Sequence, residues 1–409
     1  MPEAIGPAWA RAEHLKCSVD CRRSHGSLFA VMDPICSRVL RIRTVPSATC
    51  GCGASVRAAS SFVRHSVRNW PHLYRETLPG RCYRNSMSIL LGDITAFRLW
   101  RSEAFCTAMR RVRAVLLPTG NLDCRFQSVN NARTRSELLA NLSLPLDLFV
   151  LEKADRLRSA LVTAHRLPPF LTTEPVYPLE NGTFVCSPRT TLLQLARTRS
   201  FIELALAVFE MCGTYGRSPQ SESDFFERPP LTSCDFLAQL AARQPDGMRG
   251  KGLLARVLSV ALDGAASPME SVAALHLGLP GTRGGYGLAG LRLNYPLEIP
   301  AHLRKAAGRN SMRCDLYYPA ARVAVEYDSD RYHQAENRIA SDSKRRTALE
   351  LMGVRVVSLT RAQLMDLDAM DVVAAVVCRL LKRKLPRVHD FRARQLQMRS
   401  QLLDLSREL

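Results

Sequence analysis

At 409 residues, 46 % of them hydrophobic, the chain can bury a sizeable core and accommodate two or three domains. It has no apolar run of about 18 residues, which excludes a membrane span, and its first residues lack the charged, apolar, small-residue order of an export signal, so a cytoplasmic protein is expected. The 57 Lys and Arg against 37 Asp and Glu give a formal charge of +20, which favours polyanionic partners; most of these cations are arginine, a bias that genome composition can also produce, and charge alone names neither the nucleic acid nor a reaction.

Residues 1–85 carry little periodicity, because Gly51, Gly53, Pro71, Pro79 and Gly80 interrupt every candidate element. A poorly structured segment is expected there, with the functional chain starting near Met87. The 13 cysteines read as reduced thiols, and singles such as Cys186, Cys212 and Cys378 as small core residues. Cys17, Cys21, Cys50 and Cys52, near His14 and His25, do not make a zinc site, because C-x3-C and C-x-C both miss the usual pair spacing.

From Met87 an α+β region is expected over residues 86–213. It starts with an amphipathic helix over Ser88 to Arg111, followed by strands at Leu146 to Leu151, Ala160 to Thr163 and near Val185. Ser187 then caps a helix with Pro188 at its first position, and a second apolar helix spans Phe201 to Met211. Residues 214–262 read as a linker with short helices, since 213–230 is rich in Ser, Pro and charge. An α/β unit is expected over 263–385: a helix from Ser267 to Leu277, strands at Leu291 to Tyr295, Arg313 to Tyr318 and Arg322 to Asp328, a helix over Ala335 to Met352, a strand at Val354 to Leu359 and a helix from Arg361 to Leu381. Residues 386–409 read as a tail, and Gly281 to Gly287 as a flexible connection lacking the ending of a phosphate loop.

The chemistry sits on two of these strands. Asp315 lies on one, and Glu326 and Asp328 close the next, with only Tyr-Tyr-Pro-Ala-Ala-Arg between them as a hairpin turn. Period-two geometry puts Glu326 and Asp328 on one face and turns Val323, Val325 and Tyr327 to the other, into the core. Three carboxylates converging in this way repel one another unless a cation neutralises them, and an all-oxygen set suits Mg2+ or Mn2+. Such a metal polarises a phosphoryl oxygen and generates hydroxide. Downstream, His333, Asp342, Lys344, Arg345 and Arg346 are placed to activate water or bind phosphates.

This series, Glu270 on a helix, Asp315, Glu326-x-Asp328, His333 and Asp342-x-x-Arg345-x-x-x-Leu349-x-x-x-Gly353, resembles the very-short-patch-repair-like endonuclease domain of the PD-(D/E)XK nuclease superfamily. The resemblance covers about the last 140 residues. It implies a restriction-endonuclease-like αβββαβ core with a mixed sheet, Asp315 and Glu326 as metal ligands with Glu270 as the acid from the first helix, and Mg2+-dependent cleavage of DNA in a defence, repair or mobile-element setting. A homodimer is a further implication, since relatives that cut both strands often pair. Asp328 stands where many relatives carry the catalytic lysine, which makes His333 the candidate base; Ser329 replaces a frequent glycine, and His333 sits one residue farther out. Ser187-Pro-Arg-Thr-Thr-Leu-Leu-Gln-Leu-Ala196 resembles a signature of antitoxins from bacterial abortive-infection systems, which implies a cognate toxin or DNA-processing partner, although no winged helix is legible before Met87.

Plainer readings stand beside these. The acids also fit a solvated hairpin edge, Glu270 a first-turn acid favoured by the helix dipole, His333 a surface or capping histidine, and Arg345 and Arg346 an exposed helix face. The competing functions are a non-catalytic, antitoxin-like DNA-binding regulator on a degenerate nuclease fold, and an RNA-cleaving enzyme of the same fold.

Overall fold

The first apolar run after Met87 is a strand, not the start of a helix. In the computed structural model, which describes residues 88–117, 122–152, 158–167, 173–217, 224–328 and 335–408, Ile89–Leu91 (β1) is buried at every position. An apolar run this short, buried on both faces and closed by Gly92, suits an interior strand. β1 pairs in parallel with Thr183–Cys186 (β6) and antiparallel with Leu146–Val150 (β3). A Cβ at Gly92 would lie 2.1 Å from the ring of Phe149, so only glycine lets the chain turn into the helix Asp93–Arg101 (α1). Glu103–Met109 (α2) follows, capped by Ser102.

With Val115–Leu116 (β2), Val162–Arg166 (β4) and Pro175–Pro178 (β5), these strands form a six-stranded sheet of order β2-β5-β6-β1-β3-β4. Two helices, Phe126–Arg135 (α3) and Glu137–Ala140 (α4), lie between β2 and β3. Ser187 caps Pro188–Leu195 (α5) as its sequence predicts, its Oγ accepting the Thr190 amide at 3.3 Å. The next helix is Phe201–Cys212 (α6).

The segment expected as a linker belongs to the core. Tyr215–Arg217 (β7) and Phe225–Glu227 (β8) pair as a hairpin, and Cys234–Ala242 (α7) and Lys251–Leu258 (α8) follow. Tyr215, Leu237, Leu240, Leu254 and Val257 are buried in the same apolar cluster as the six-stranded sheet. The i, i+3 pairs in α7 and α8 give each helix an apolar stripe despite the polar letters around them.

The second sheet contains Arg292–Glu298 (β9), Ser311–Tyr318 (β10), Val323–Asp328 (β11) and Arg355–Thr360 (β12), in the order β12-β11-β10-β9. β9, β10 and β11 run antiparallel in succession, while β11 and β12 are parallel. Both larger sheets are therefore mixed, and the protein is a mixed α/β fold. Pro268–Gly278 (α9) precedes β9, and Ala335–Leu351 (α11) joins β11 to β12. The helix Ala301–Ala307 (α10), between β9 and β10, was not anticipated. The helix expected over 361–381 is two helices, Arg361–Met365 (α12) and Leu367–Leu380 (α13), because Asp366 stops the first and caps the second through the Ala369 amide at 2.7 Å.

β11 is apolar on both faces. Val323 and Val325 enter the large core, while Ala324 joins Cys314, Ala348, Leu349 and Val354 in a smaller one that includes two residues of α11. The expected tail instead contains the helix Phe391–Glu408 (α14), with Met398 and Leu402 buried. Gln395 donates to Asp371 at 2.9 Å and to the Tyr286 hydroxyl at 3.1 Å, which ties the glycine stretch 281–287 to α13 and α14. That stretch is packed rather than loose: at Gly284, φ is +86° and a Cβ would meet the Arg394 carbonyl at 2.5 Å. All described residues belong to one compact unit, and among them no helix is long and apolar enough to cross a membrane.

Candidate functional site

The β10–β11 hairpin pairs Tyr318 with Val323, Tyr317 with Ala324 and Leu316 with Val325. The next step in this register sets Asp315 across from Glu326. There the pairing changes character: the Tyr327 amide donates to Asp315 Oδ2 at 2.9 Å, so a side-chain oxygen binds a backbone N–H of the neighbouring strand. On its other side β11 continues regularly, with Glu326 opposite Ser358 and Asp328 opposite Thr360 of β12.

Glu326 is the electrostatic centre of the group. Its Oε2 pairs with Arg345 of α11 at 2.5 Å, while Oε1 is buried without an N–H or O–H donor, and the Cys314 thiol lies against the carboxylate. Burial pushes its carboxyl up to about 7, Asp315 and Asp328 add to the rise, and Arg345 opposes it without prevailing. Asp315 is likewise raised, first by burial and then by Asp328, against the Tyr327 amide and Arg345. The Cys314 thiol is pushed up to about 12 by burial and by Glu326. Fully ionised, the three acids present three negative charges to one positive charge, which is costly in a low-dielectric setting. Oxygen ligands of this kind suit hard divalent cations, but among the described residues the ligand oxygens of Asp315, Glu326 and Asp328 do not all come within 4.8 Å of one another.

Glu270 is 7 % exposed and already committed. Its Oε2 accepts from the Ala266 amide at 2.9 Å and from Asn294 Nδ2 at 2.6 Å, and its Oε1 from the Ser267 hydroxyl at 3.0 Å. The Glu270 amide in turn donates to Ser267 Oγ at 3.2 Å. Burial is again the main cause that lifts its carboxyl to about 7, and the charge of Asp315 contributes. Glu270 thus caps α9, as the plainer reading has it, while lying within the field of Asp315.

The three basic residues of α11 separate. Arg345 is engaged internally, with Glu326 and with the Arg313 carbonyl. Arg346 is exposed and donates to Ser358 Oγ at 3.0 Å. Lys344 is exposed and lines a groove with Leu303 and Thr347. His333 and the Asp342 side chain lie outside the described residues, as does the group Cys17, Cys21, Cys50, Cys52, His14 and His25. Sequence reading missed Arg345 as the counter-ion of Glu326 and Asn294 as the partner of Glu270; both depend on elements brought together from distant parts of the chain. Comparison with known proteins gives no matching family model, no matching characterised protein and no matching solved structure.

Proposed function

We propose that this chain is a metal-dependent endonuclease that hydrolyses phosphodiester bonds in DNA, built on a restriction-endonuclease-like core over α9 and β9 to β12. The observation that carries the reading is the carboxylate pair Asp315 and Glu326, set opposite each other on adjacent strands in a buried setting. The resemblance to very-short-patch-repair-like endonucleases supports it, and so does the formal charge of +20.

Under this reading Asp315 and Glu326 would hold Mg2+ or Mn2+, Asp328 would supply a further oxygen at the exposed end of β11, and Glu270, which feels the charge of Asp315, lies beside the group. The bound cation would supply Lewis-acid polarisation of the scissile phosphate and a more acidic water. Glu326 must give up its proton to bind, so the site assembles above about pH 7 and weakens below it. Arg345 restrains Glu326 until the cation competes for it. Lys344 and Arg346 face solvent on α11 and serve as phosphate contacts. His333 is the candidate proton acceptor.

A second reading, a DNA-binding regulator on a silent nuclease fold with an antitoxin-like kinship, is favoured by one specific observation. Arg345 already neutralises Glu326 from within, and position 328 carries Asp where catalytic relatives carry lysine. A cleavage assay on plasmid and oligonucleotide substrates, with and without Mg2+ or Mn2+, decides between them. Metal-dependent cutting that disappears in Glu326→Ala is expected. Retained DNA binding without cutting under any metal would transfer the assignment to the regulator, and cutting of RNA alone to a ribonuclease of the same fold.

A further inference from the structure

A group of metal-ligating side chains lies outside this site and shares no residue with it. Cys212 ends α6, Cys234 begins α7, and Asp263 lies in the loop that follows α8. Their ligand atoms all lie within 4.8 Å of one another. The Cys212 thiol touches both the Cys234 thiol and the Asp263 carboxylate.

The backbone holds the three segments in place. The Gly264 amide donates to the Cys212 carbonyl at 3.0 Å, and the Thr214 amide to the Ala265 carbonyl at 2.7 Å, which clamps the Asp263 loop against the end of α6. The Leu231 and Thr232 amides both donate to the Met211 carbonyl, which brings the start of α7 to the same place. Asp263 Oδ1 accepts the Cys234 amide at 2.8 Å, so the carboxylate is already oriented between the two thiols. Three ligands anchored on separate elements therefore meet without any side chain having to cross the molecule.

We propose that Cys212, Cys234 and Asp263 bind one Zn2+. Two thiolates with a carboxylate form a borderline-soft set that selects zinc over the hard cations suited to Asp315 and Glu326. Zn–S bonds of about 2.3 Å and Zn–O bonds of about 2.1 Å in a tetrahedron put the ligand atoms about 3.5 to 3.8 Å apart, inside the observed limit. Cys212 is fully buried, Cys234 half-buried and Asp263 exposed, so the fourth position of the tetrahedron opens to solvent and supplies the entry path. Binding forms two Zn–S bonds and one Zn–O bond and releases the two thiol protons to solvent, with no change in oxidation state. With a water in the fourth position, the ion would fasten α6 to α7 and to the loop after α8, away from the phosphodiester site.

The test uses the full chain, kept reduced, stripped with a chelator and reloaded with Zn2+ or Co2+ alone. Metal content per chain, the sulfur-to-cobalt charge-transfer absorption and the thermal midpoint are measured on the wild type, Cys212→Ser, Cys234→Ser and Asp263→Asn. The chain has 13 cysteines, so the difference between wild type and variants locates the site, not the wild-type stoichiometry alone. Expected are a loss of one metal equivalent and of the charge-transfer band in Cys234→Ser, at least about a tenfold weaker affinity in Asp263→Asn, and a Zn2+-dependent rise in midpoint that both variants lose. Because these two substitutions fall at accessible positions, the outcome does not depend on whether Cys212→Ser folds. Equal metal content in wild type and Cys234→Ser overturns the proposal.

Discussion

Replacing Glu326 by Gln keeps the shape of the side chain and removes its charge, and in metal-free protein this should stabilise the fold at alkaline pH. The carboxyl is pushed from an ordinary 4.5 to about 7. At about 1.36 kcal/mol per pH step, that displacement sets a ceiling of about 3 kcal/mol. The sign follows from proton counting. The folded acid keeps its proton where the unfolded one has lost it, so its contribution is full below about 4.5 and is lost as pH rises through about 7. Above that, the native state carries an ionised Glu326 beside Asp315 and Asp328, and Gln removes the repulsion. The lost pair with Arg345, whose side chain is 28 % exposed and keeps its bond to the Arg313 carbonyl, is already contained in that net displacement. The expected effect is a gain of up to about 3 kcal/mol at pH 8.5 and of about 1 kcal/mol at pH 5. Chemical denaturation in the presence of a chelator at the two pH values measures it. Destabilisation of about 1 kcal/mol or more at pH 8.5 would mean that the Arg345 pair, not crowding of acids, dominates the site, and the reasoning would fail.

Other outcomes follow from the same structure. Lys344→Ala with Arg346→Ala should weaken DNA binding and reduce the dependence of log affinity on log salt by about 2, with stability unchanged, as a salt titration by fluorescence anisotropy can check. Gly92→Ala should cost about 1 to 3 kcal/mol in a melt, because the new methyl falls 2.1 Å from the buried Phe149 ring. Leu402→Ala should cost about 2 to 5 kcal/mol, since the side chain is fully buried; a neutral result would mean that α14 is dispensable to the core.

The pairing of the Asp315 strand with the Glu326 strand was legible because a short turn and a period of two are local properties. What neutralises Glu326 was not, since Arg345 reaches it from a helix whose docking is set by Ala348 and Leu349 in the smaller core. Glu270 reads as a first-turn acid in sequence, and the structure keeps it one; of its three partners only the distant Asn294, at φ +44°, was out of reach of local reading. Ile89–Leu91 looked helical because three apolar residues fit either period, and burial on both faces decided for a strand. α14 was hidden by its arginine- and glutamine-rich sequence, which leaves only a thin apolar stripe through Met398 and Leu402. Cys212, Cys234 and Asp263 are too far apart in the chain for any ligand spacing to announce them.

The bond from Tyr327 to Asp315 gives the carboxylate group a resident spectroscopic probe. An amide proton held by a neighbouring carbonyl senses mainly geometry, whereas one held by an ionisable oxygen also senses whether that oxygen carries a proton or shares its charge with a cation. The Tyr327 resonance in an amide correlation spectrum should therefore shift as Asp315 titrates, and, under the proposed metal-dependent reading, shift again as Mg2+ is added. Site occupancy can then be followed at one residue, in solution, before any substrate has been found.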